Sequence, residues 1–115
     1  IAACHARANT PEATDWERIV ALYDRLVALT QSPIVELNRA VAVSMADGPE
    51  AALEIVDDLV RMKLLEGYHL LPAVRADLLA KLKRIDDARD ELARAAALAR
   101  NERERDLLLR RAAAL

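Results

Sequence analysis

The sequence predicts an all-α protein built from repeated helical hairpins. Aromatic residues make up only 3% of the 115 residues and glycine occurs twice, whereas Ala, Leu, Arg, Glu and Asp dominate, a composition that favours helices over sheets. The segment 37–59 also has a close counterpart 36 residues later, at 73–95. A repeat of this length indicates a supersecondary unit that stacks on its own copy. We therefore expect stacked helical hairpins with about seven helices in total.

Stop and start signals set the predicted helix boundaries. Thr14 precedes Glu17 by three residues and forms a capping box. Gly48 can take the left-handed conformation that closes a helix, and Pro49 can occupy the first turn of the next one. Asn101 is a good N-cap for the last helix. The predicted helices cover a fragment at 1–8 and then about 15–29, 33–46, 49–62, 69–83, 86–99 and 101–115.

The chain is long enough to form one domain with its own core. We divide it into a truncated first hairpin at 1–31, a second hairpin at 32–67, and a third hairpin with a C-terminal helix at 68–115. The chain opens in mid-helix pattern, without a methionine or a cap, so we expect a C-terminal piece of a longer protein.

Bulk composition excludes several functional classes. The net charge of -2 argues against a surface that neutralises nucleic-acid phosphates. Cys4 is the single cysteine, which precludes an intrachain disulfide, and no apolar run approaches the roughly 20 residues that a membrane helix needs. We expect a cytoplasmic protein that binds neither membranes nor nucleic acid.

The second copy of the repeat resembles a tetratricopeptide repeat. In "LLAKLKRIDDARDELARAAAL" and the residues before it, Ala76, Ala88 and Ala95 match the small-residue positions of that motif. The stretch departs from the motif at Lys83, where a turn glycine is usual, and at Ile85, where tyrosine is usual. Small residues recur where antiparallel helices would cross closely, and the resemblance implies that these helix pairs form a right-handed superhelix.

Five ordered motifs carry a second resemblance, which spans nearly the whole chain. They are "TDWERIVALYDRLVAL", "SPIVELNRAVAV", "DGPEAALEIVD", "GYHLLPAVRADLLAKL" and "NERERDLLLRR". Together they resemble the C-terminal extension of one group of extracytoplasmic-function sigma factors, in which a tetratricopeptide-like region follows the two domains that bind RNA polymerase and read the promoter. The resemblance implies a non-catalytic regulatory module that contacts the sigma domains, RNA polymerase or a regulatory protein. A free-standing tetratricopeptide-type adaptor is the alternative.

In the tetratricopeptide register, one helix of each repeat lines a concave partner-binding surface. The implied positions are Ile34, Leu37, Val41 and Met45 in the first full repeat and Leu70, Ala73, Asp77 and Lys81 in the second. The first set is apolar, so it is either covered by the N-terminal helices or exposed as a docking patch. We prefer covering, because apolar stripes at helical spacing usually face a core.

Arg39 and Arg75 occupy equivalent, inward-facing repeat positions. A buried guanidinium needs a partner, because desolvating a lone charge costs several kcal/mol. The arginines are predicted to form structural ion pairs, to extend to solvent, or to clamp an acidic partner peptide. The candidate carboxylates are Asp24, Asp57, Asp58, Asp77 and Asp87. Asn38 is predicted to be buried and hydrogen-bonded, and exposed ion pairs are expected for Asp57 with Arg61 and for Asp90 with Arg94.

No metal, cofactor or catalytic site is predicted. Cys4 and His5 are adjacent and diverge on a helix, and His69 is the only other histidine, whereas a zinc site needs three or four converging ligands. His69 is expected to serve as a cap or loop contact. Both glycines occur singly in turns, so no glycine-rich phosphate loop is present, and we expect the chain not to be an enzyme.

Overall fold

The computed structural model describes residues 15–115. The predicted fragment at 1–8 and the residues Thr14, Cys4 and His5 lie outside this range. The described chain is all-helical, which confirms the predicted all-α class. The helices are α1 (Trp16–Thr30), α2 (Pro33–Asp47), α3 (Pro49–Arg61), α4 (Leu70–Lys81), α5 (Ile85–Ala97) and α6 (Glu102–Ala114).

The predicted start of α1 was wrong by one residue. Asp15 is the N-cap, and its side chain accepts a hydrogen bond from the backbone N–H of Arg18 at 3.1 Å. An aspartate side chain at the N-cap accepts a hydrogen bond from a free amide of the first turn, as the predicted threonine would. α2 begins as expected, because Ser32 is its N-cap and Pro33 is its first residue.

Residues at positive φ occur in each of the four turns from α1 to α5, and two of them bear on the sequence predictions. Gly48, between α2 and α3, has a φ of 101°, a region that only glycine adopts readily. Lys83, between α4 and α5, has a φ of 66°. Lys83 therefore takes the left-handed conformation at the position where a tetratricopeptide repeat usually has glycine.

Each helix packs on the next helix in sequence, and α2 also contacts α4. The largest core cluster joins α2, α3 and α4 and includes Ala88 of α5, and a second cluster joins α4, α5 and α6. α1 is attached through Ile19, which packs with Ala42 of α2. The helices therefore form a layered array rather than a bundle around a single axis.

Burial follows the predicted repeat. Ala40 and Ala76 are 0% and 1% exposed, and Ala52 and Ala88 are both fully buried. The small side chains let the helices of each hairpin approach closely, and larger residues separated by 36 positions fill the space between hairpins. These larger equivalent pairs are Val43 with Leu79 and Val56 with Leu92.

No helix in the range 15–115 is long and apolar enough to cross a membrane.

Candidate interaction groove

An open groove of about 270 Å³ lies between α2 and α4, with one residue contributed by α6. Its walls are mostly apolar, and its polar groups are gathered toward the C-terminal halves of the helices. The lining residues are Val41, Ser44 and Met45 from α2, Leu70, Ala73, Val74, Asp77, Leu78 and Lys81 from α4, and Arg111 from α6.

The structure brings together most of the residues that the sequence assigned to a concave surface. Val41 and Met45 meet Leu70, Asp77 and Lys81 across the groove. The two remaining α2 positions lie elsewhere: Leu37 is 3% exposed and belongs to the core, whereas Ile34 is exposed outside the groove lining. Leu37 points inward because α3 and α4 pack against that side of α2.

Three of the large apolar residues of α2 are exposed among the described residues. Ile34 is 47% exposed, Val41 is 44% exposed and Met45 is 50% exposed. Asn38 lies between them and is exposed too, so its predicted burial was wrong. One residue on from Leu37 along the helix, Asn38 faces away from the core. We call Ile34, Asn38, Val41 and Met45 the α2 seam.

The polar end of the groove carries a surplus of positive charge. Lys81 pairs with Asp77 of the same helix, with Nζ and Oδ2 separated by 3.2 Å. Arg111 has no carboxylate within 4.0 Å among the residues that the structure describes. The hydroxyl of Ser44 in the groove wall is hidden from solvent and, within 15–115, has no hydrogen-bond partner. An occupant with an apolar face and an acidic group would match this arrangement.

Arg39 lies outside the groove and joins α2 to α1. Its guanidinium hydrogen-bonds the carboxylate of Asp24 through Nε and the carboxylate of Glu36 through Nη1, the latter at 2.8 Å. The Asp24 side chain is 51% exposed. Arg39 is thus engaged in an ion pair at the surface of the α1–α2 contact.

Arg75 joins three helices. Its Nε lies 2.9 Å from the carboxylate of Asp57 on α3, and its Nη1 lies 3.3 Å from the carboxylate of Glu91 on α5. The Glu91 side chain is only 5% exposed and is also bound by Arg94 at 2.9 Å. A buried carboxylate shared by two guanidinium groups indicates a structural network.

The ion pairs stabilise the charged form of both arginines. Burial lowers the pKa of Arg39, but the hydrogen bonds to Asp24 and Glu36 outweigh it, so the pKa is raised. The pKa of Arg75 is likewise raised, because hydrogen bonding to Asp57 and attraction by Glu91 exceed the effect of burial. Each guanidinium therefore already holds two carboxylates of this chain. This geometry supports the structural interpretation of the arginines over the peptide clamp.

The start of α6 is fixed by a carboxylate. Asn101 accepts a hydrogen bond from the backbone N–H of Glu104 at 2.9 Å, and Glu104 accepts one from the backbone N–H of Arg100 at 3.2 Å. The Arg100 guanidinium binds the same carboxylate at 3.1 Å, and these hydrogen bonds lower the pKa of Glu104. The buried His69 ring has Nε2 3.7 Å from Glu104, which links the start of α4 to α6.

Two ion pairs that were predicted at the surface form with a carboxylate one residue away from the predicted one. Arg61 pairs with Asp58 rather than Asp57, and Arg94 pairs with Glu91 rather than Asp90. In both cases the spacing is i,i+3 instead of i,i+4. Asp57 binds Arg75 instead of Arg61, and Arg94 binds the buried Glu91 together with Arg75. No group of three or more potential metal-binding side chains occurs in the range 15–115.

Sequence reasoning missed Glu91 and Arg111. Glu91 had a usable signal: it occupies one of the five positions, 88, 91, 92, 95 and 96, that form the buried stripe of α5. A glutamate at a core position requires a cationic partner, and Arg75 was available. Arg111 had no such signal, because its place beside α4 depends on how α6 turns back across the array.

The chain is similar in sequence to a curated protein of a bacterium. A curated protein from Rhizobium meliloti (strain 1021), described only as uncharacterized, is 52% identical to this chain over 104 residues. The match covers 90% of this chain and 24% of the relative, so the chain spans about a quarter of that protein's length. No family model matches the chain, and no solved structure matches it significantly.

Proposed function

We propose that this chain is a non-catalytic, cytoplasmic interaction module of an extracytoplasmic-function sigma factor and supports transcription initiation. In this proposal the module contacts the sigma domains, RNA polymerase or a regulatory protein through the groove between α2 and α4. Its hairpins form the right-handed superhelix of tetratricopeptide-like repeats, with α2 and α4 on the concave side.

One observation carries the proposal. Residues from two repeats converge on a single groove, and they include Val41, Met45, Leu70, Asp77 and Lys81. Solvent exposure of large apolar side chains is costly at roughly 25 cal/mol per Å², and contiguous apolar patches on a protein surface commonly mark interaction sites. The match covers 24% of the Rhizobium relative, which agrees with a module that is joined to other domains.

The proposal is tested by substituting Met45 in the full-length parent protein. Met45→Glu places a charge in the groove at a residue that is 50% exposed, so we expect the fold to persist and promoter-dependent transcription with purified RNA polymerase to fall at least about tenfold. Leu109→Glu is the matched control, because Leu109 is 46% exposed and lies on α6 away from the groove.

Equal transcription by the Met45→Glu variant and the parent protein would refute the groove's role. A parent protein that lacks promoter-dependent transcription altogether, but captures a partner through the groove, would favour the free-standing adaptor. Circular dichroism of both variants shows whether helicity is retained. Loss of helicity in Met45→Glu alone would show that the seam is covered in the parent protein.

A further inference from the structure

The α2 seam has the spacing of a coiled-coil interface. Its four positions are separated by 4, 3 and 4 residues, which is the alternation of d and a positions in a heptad. At about 100° per residue, all four side chains fall within roughly 60° of one another on the helix. The neighbouring residues Leu37, Ala40 and Val43 are buried. The seam is thus a second, outward apolar face of α2.

Asn38 occupies an a position within this seam. A single asparagine at such a position in a coiled coil fixes register and partner choice, because it needs a polar group opposite it. Asn38 has no hydrogen bond among the described residues, so its amide remains available. An asparagine between Ile34 and Val41 is well placed to select a partner.

The same positions of α4 do not form such a seam. They hold Leu70, Val74, Asp77 and Lys81, and the last two are joined by an ion pair. The apolar seam therefore belongs to α2, and α4 contributes a polar flank. Arg111 extends this flank with a positive charge.

We propose that the α2 seam binds an amphipathic helix of a separate partner protein. The helix carries apolar residues at heptad spacing, a polar residue opposite Asn38, and a carboxylate that reaches Arg111. The proposal rests on the function proposed above and specifies its partner. From Ile34 to Met45 the seam is about 16 Å long at 1.5 Å per residue, so the bound segment is roughly three helical turns.

A helix fits this surface better than an extended peptide does. Extended peptides gain affinity by hydrogen bonding to the edge of a sheet, and the range 15–115 contains no strand. Heptad spacing on one helix, by contrast, is satisfied by side chains that insert from a second helix. The charge of Arg111 selects an acidic flank on that helix.

The test uses three synthetic helical peptides of about three heptads each. The first has leucine at the a and d positions, asparagine at the central a position and glutamate on the flanks. The second replaces the asparagine with isoleucine, and the third replaces the glutamates with lysines. Binding of each labelled peptide to the 115-residue protein is followed by fluorescence anisotropy.

We expect the protein to prefer the asparagine peptide to the isoleucine peptide by about tenfold, and Asn38→Ile to reverse that preference. The lysine peptide should bind at least about tenfold more weakly than the glutamate peptide, because Arg111 repels it. Met45→Glu should abolish binding of all three, whereas Leu109→Glu should not. Circular dichroism verifies that the variants are folded.

Three results would overturn the proposal. The first is that no peptide binds, or that Asn38→Ile leaves the preference unchanged. The second is a dimer, seen by light scattering, that Met45→Glu dissociates, because the occupant is then a second copy. The third is an efficient intrachain disulfide between Cys4 and Asn38→Cys, because residues 1–14 then cover the seam.

Failure of this proposal can be separated from failure of the proposed function. If Met45→Glu reduces transcription while Asn38→Ile leaves the peptide preference unchanged, the groove is functional but its partner is not a helix of this kind. If neither substitution has any effect, both proposals fail.

Discussion

The α2–α3 hairpin and the α4–α5 hairpin have similar buried residues but differ in the residues on their outer faces. The alanines at 40 and 76, and those at 52 and 88, are all buried to the same degree. In contrast, the outward positions of α2 hold Val41 and Met45, where α4 holds an ion pair. Residues that set the distance between helices are alike because the packing requires it, whereas the exposed faces are free to differ.

The equivalent arginines show the same contrast in their surroundings. Arg39 has neighbours on one adjacent helix and on its own helix. Arg75 lies between two other helices and binds the buried Glu91. The position 36 residues before Glu91 holds Ile55, so the first hairpin has no acid there. Arg39 therefore forms ion pairs at the surface of the first hairpin, whereas Arg75 binds a buried carboxylate in the second.

Truncation of the core should produce the largest difference in stability. Leu79 is 0% exposed and Val43 is 5% exposed, so we expect Leu79→Ala to lower the free energy of unfolding by about 3 kcal/mol and Val43→Ala by about 2 kcal/mol. Urea denaturation followed by circular dichroism measures both. Leu29→Ala, at an 83% exposed residue, should change it by less than about 0.5 kcal/mol. Equal losses at 79 and 29 would contradict the assigned core.

Substitution of the two arginines should change the free energy of unfolding by smaller amounts. Arg75→Ala leaves the buried Glu91 with Arg94 as its remaining partner, and we expect a loss of about 2 kcal/mol. Arg39→Ala should cost at most about 1 kcal/mol, because Asp24 is well solvated. Arg84→Ala is the control, since Arg84 and Asp87 are both 51% exposed. A larger loss for Arg39→Ala than for Arg75→Ala would invert the comparison.

The smallest expected effect concerns the cap of α6. The folded-state pKa of Glu104 lies below its unfolded value of about 4.3. Its carboxylate therefore stabilises the folded state above that pH, and this contribution is lost as the pH falls through the folded-state pKa. The urea midpoints of the parent chain and Glu104→Gln should differ at pH 6, and the difference should shrink as the pH falls below about 4.3.

Ser32 provides the comparison for that measurement. It caps α2 with a hydroxyl, which does not titrate, so the difference between the parent chain and Ser32→Ala should be the same at pH 6 and pH 4. A difference for Glu104→Gln that does not shrink as the pH falls would show that it does not come from the charged carboxylate and its hydrogen bonds to Arg100.

Much of the fold could be predicted from local signals. The prolines at 33 and 49, the glycine at 48 and Asn101 mark helix ends through their own backbone or side-chain chemistry. The 36-residue repeat identified the alanines that become buried crossings. The prediction failed for Asn38 and Leu37, which are adjacent on α2, because a repeat register does not say which neighbouring helix covers each side of a helix.

The site could be predicted only in part. The tetratricopeptide register implied Val41, Met45, Leu70 and Lys81 as surface positions, so these residues could be named in advance. Two features depend on contacts between residues that are far apart in the chain. One is the convergence of these residues with Arg111, and the other is which carboxylates pair with Arg39 and which pair with Arg75.

By itself the sequence determined an all-α chain, its helix boundaries to within one or two residues, and a repeat with closely crossing alanines, because these properties depend on local propensity and periodicity. Tertiary structure alone decided that Glu91 is shared by Arg75 and Arg94, that Leu37 is buried while Asn38 is exposed, and that Arg111 joins the groove. Each of these depends on the direction in which one helix faces another, and that direction is set by the packing of the whole array rather than by any single segment.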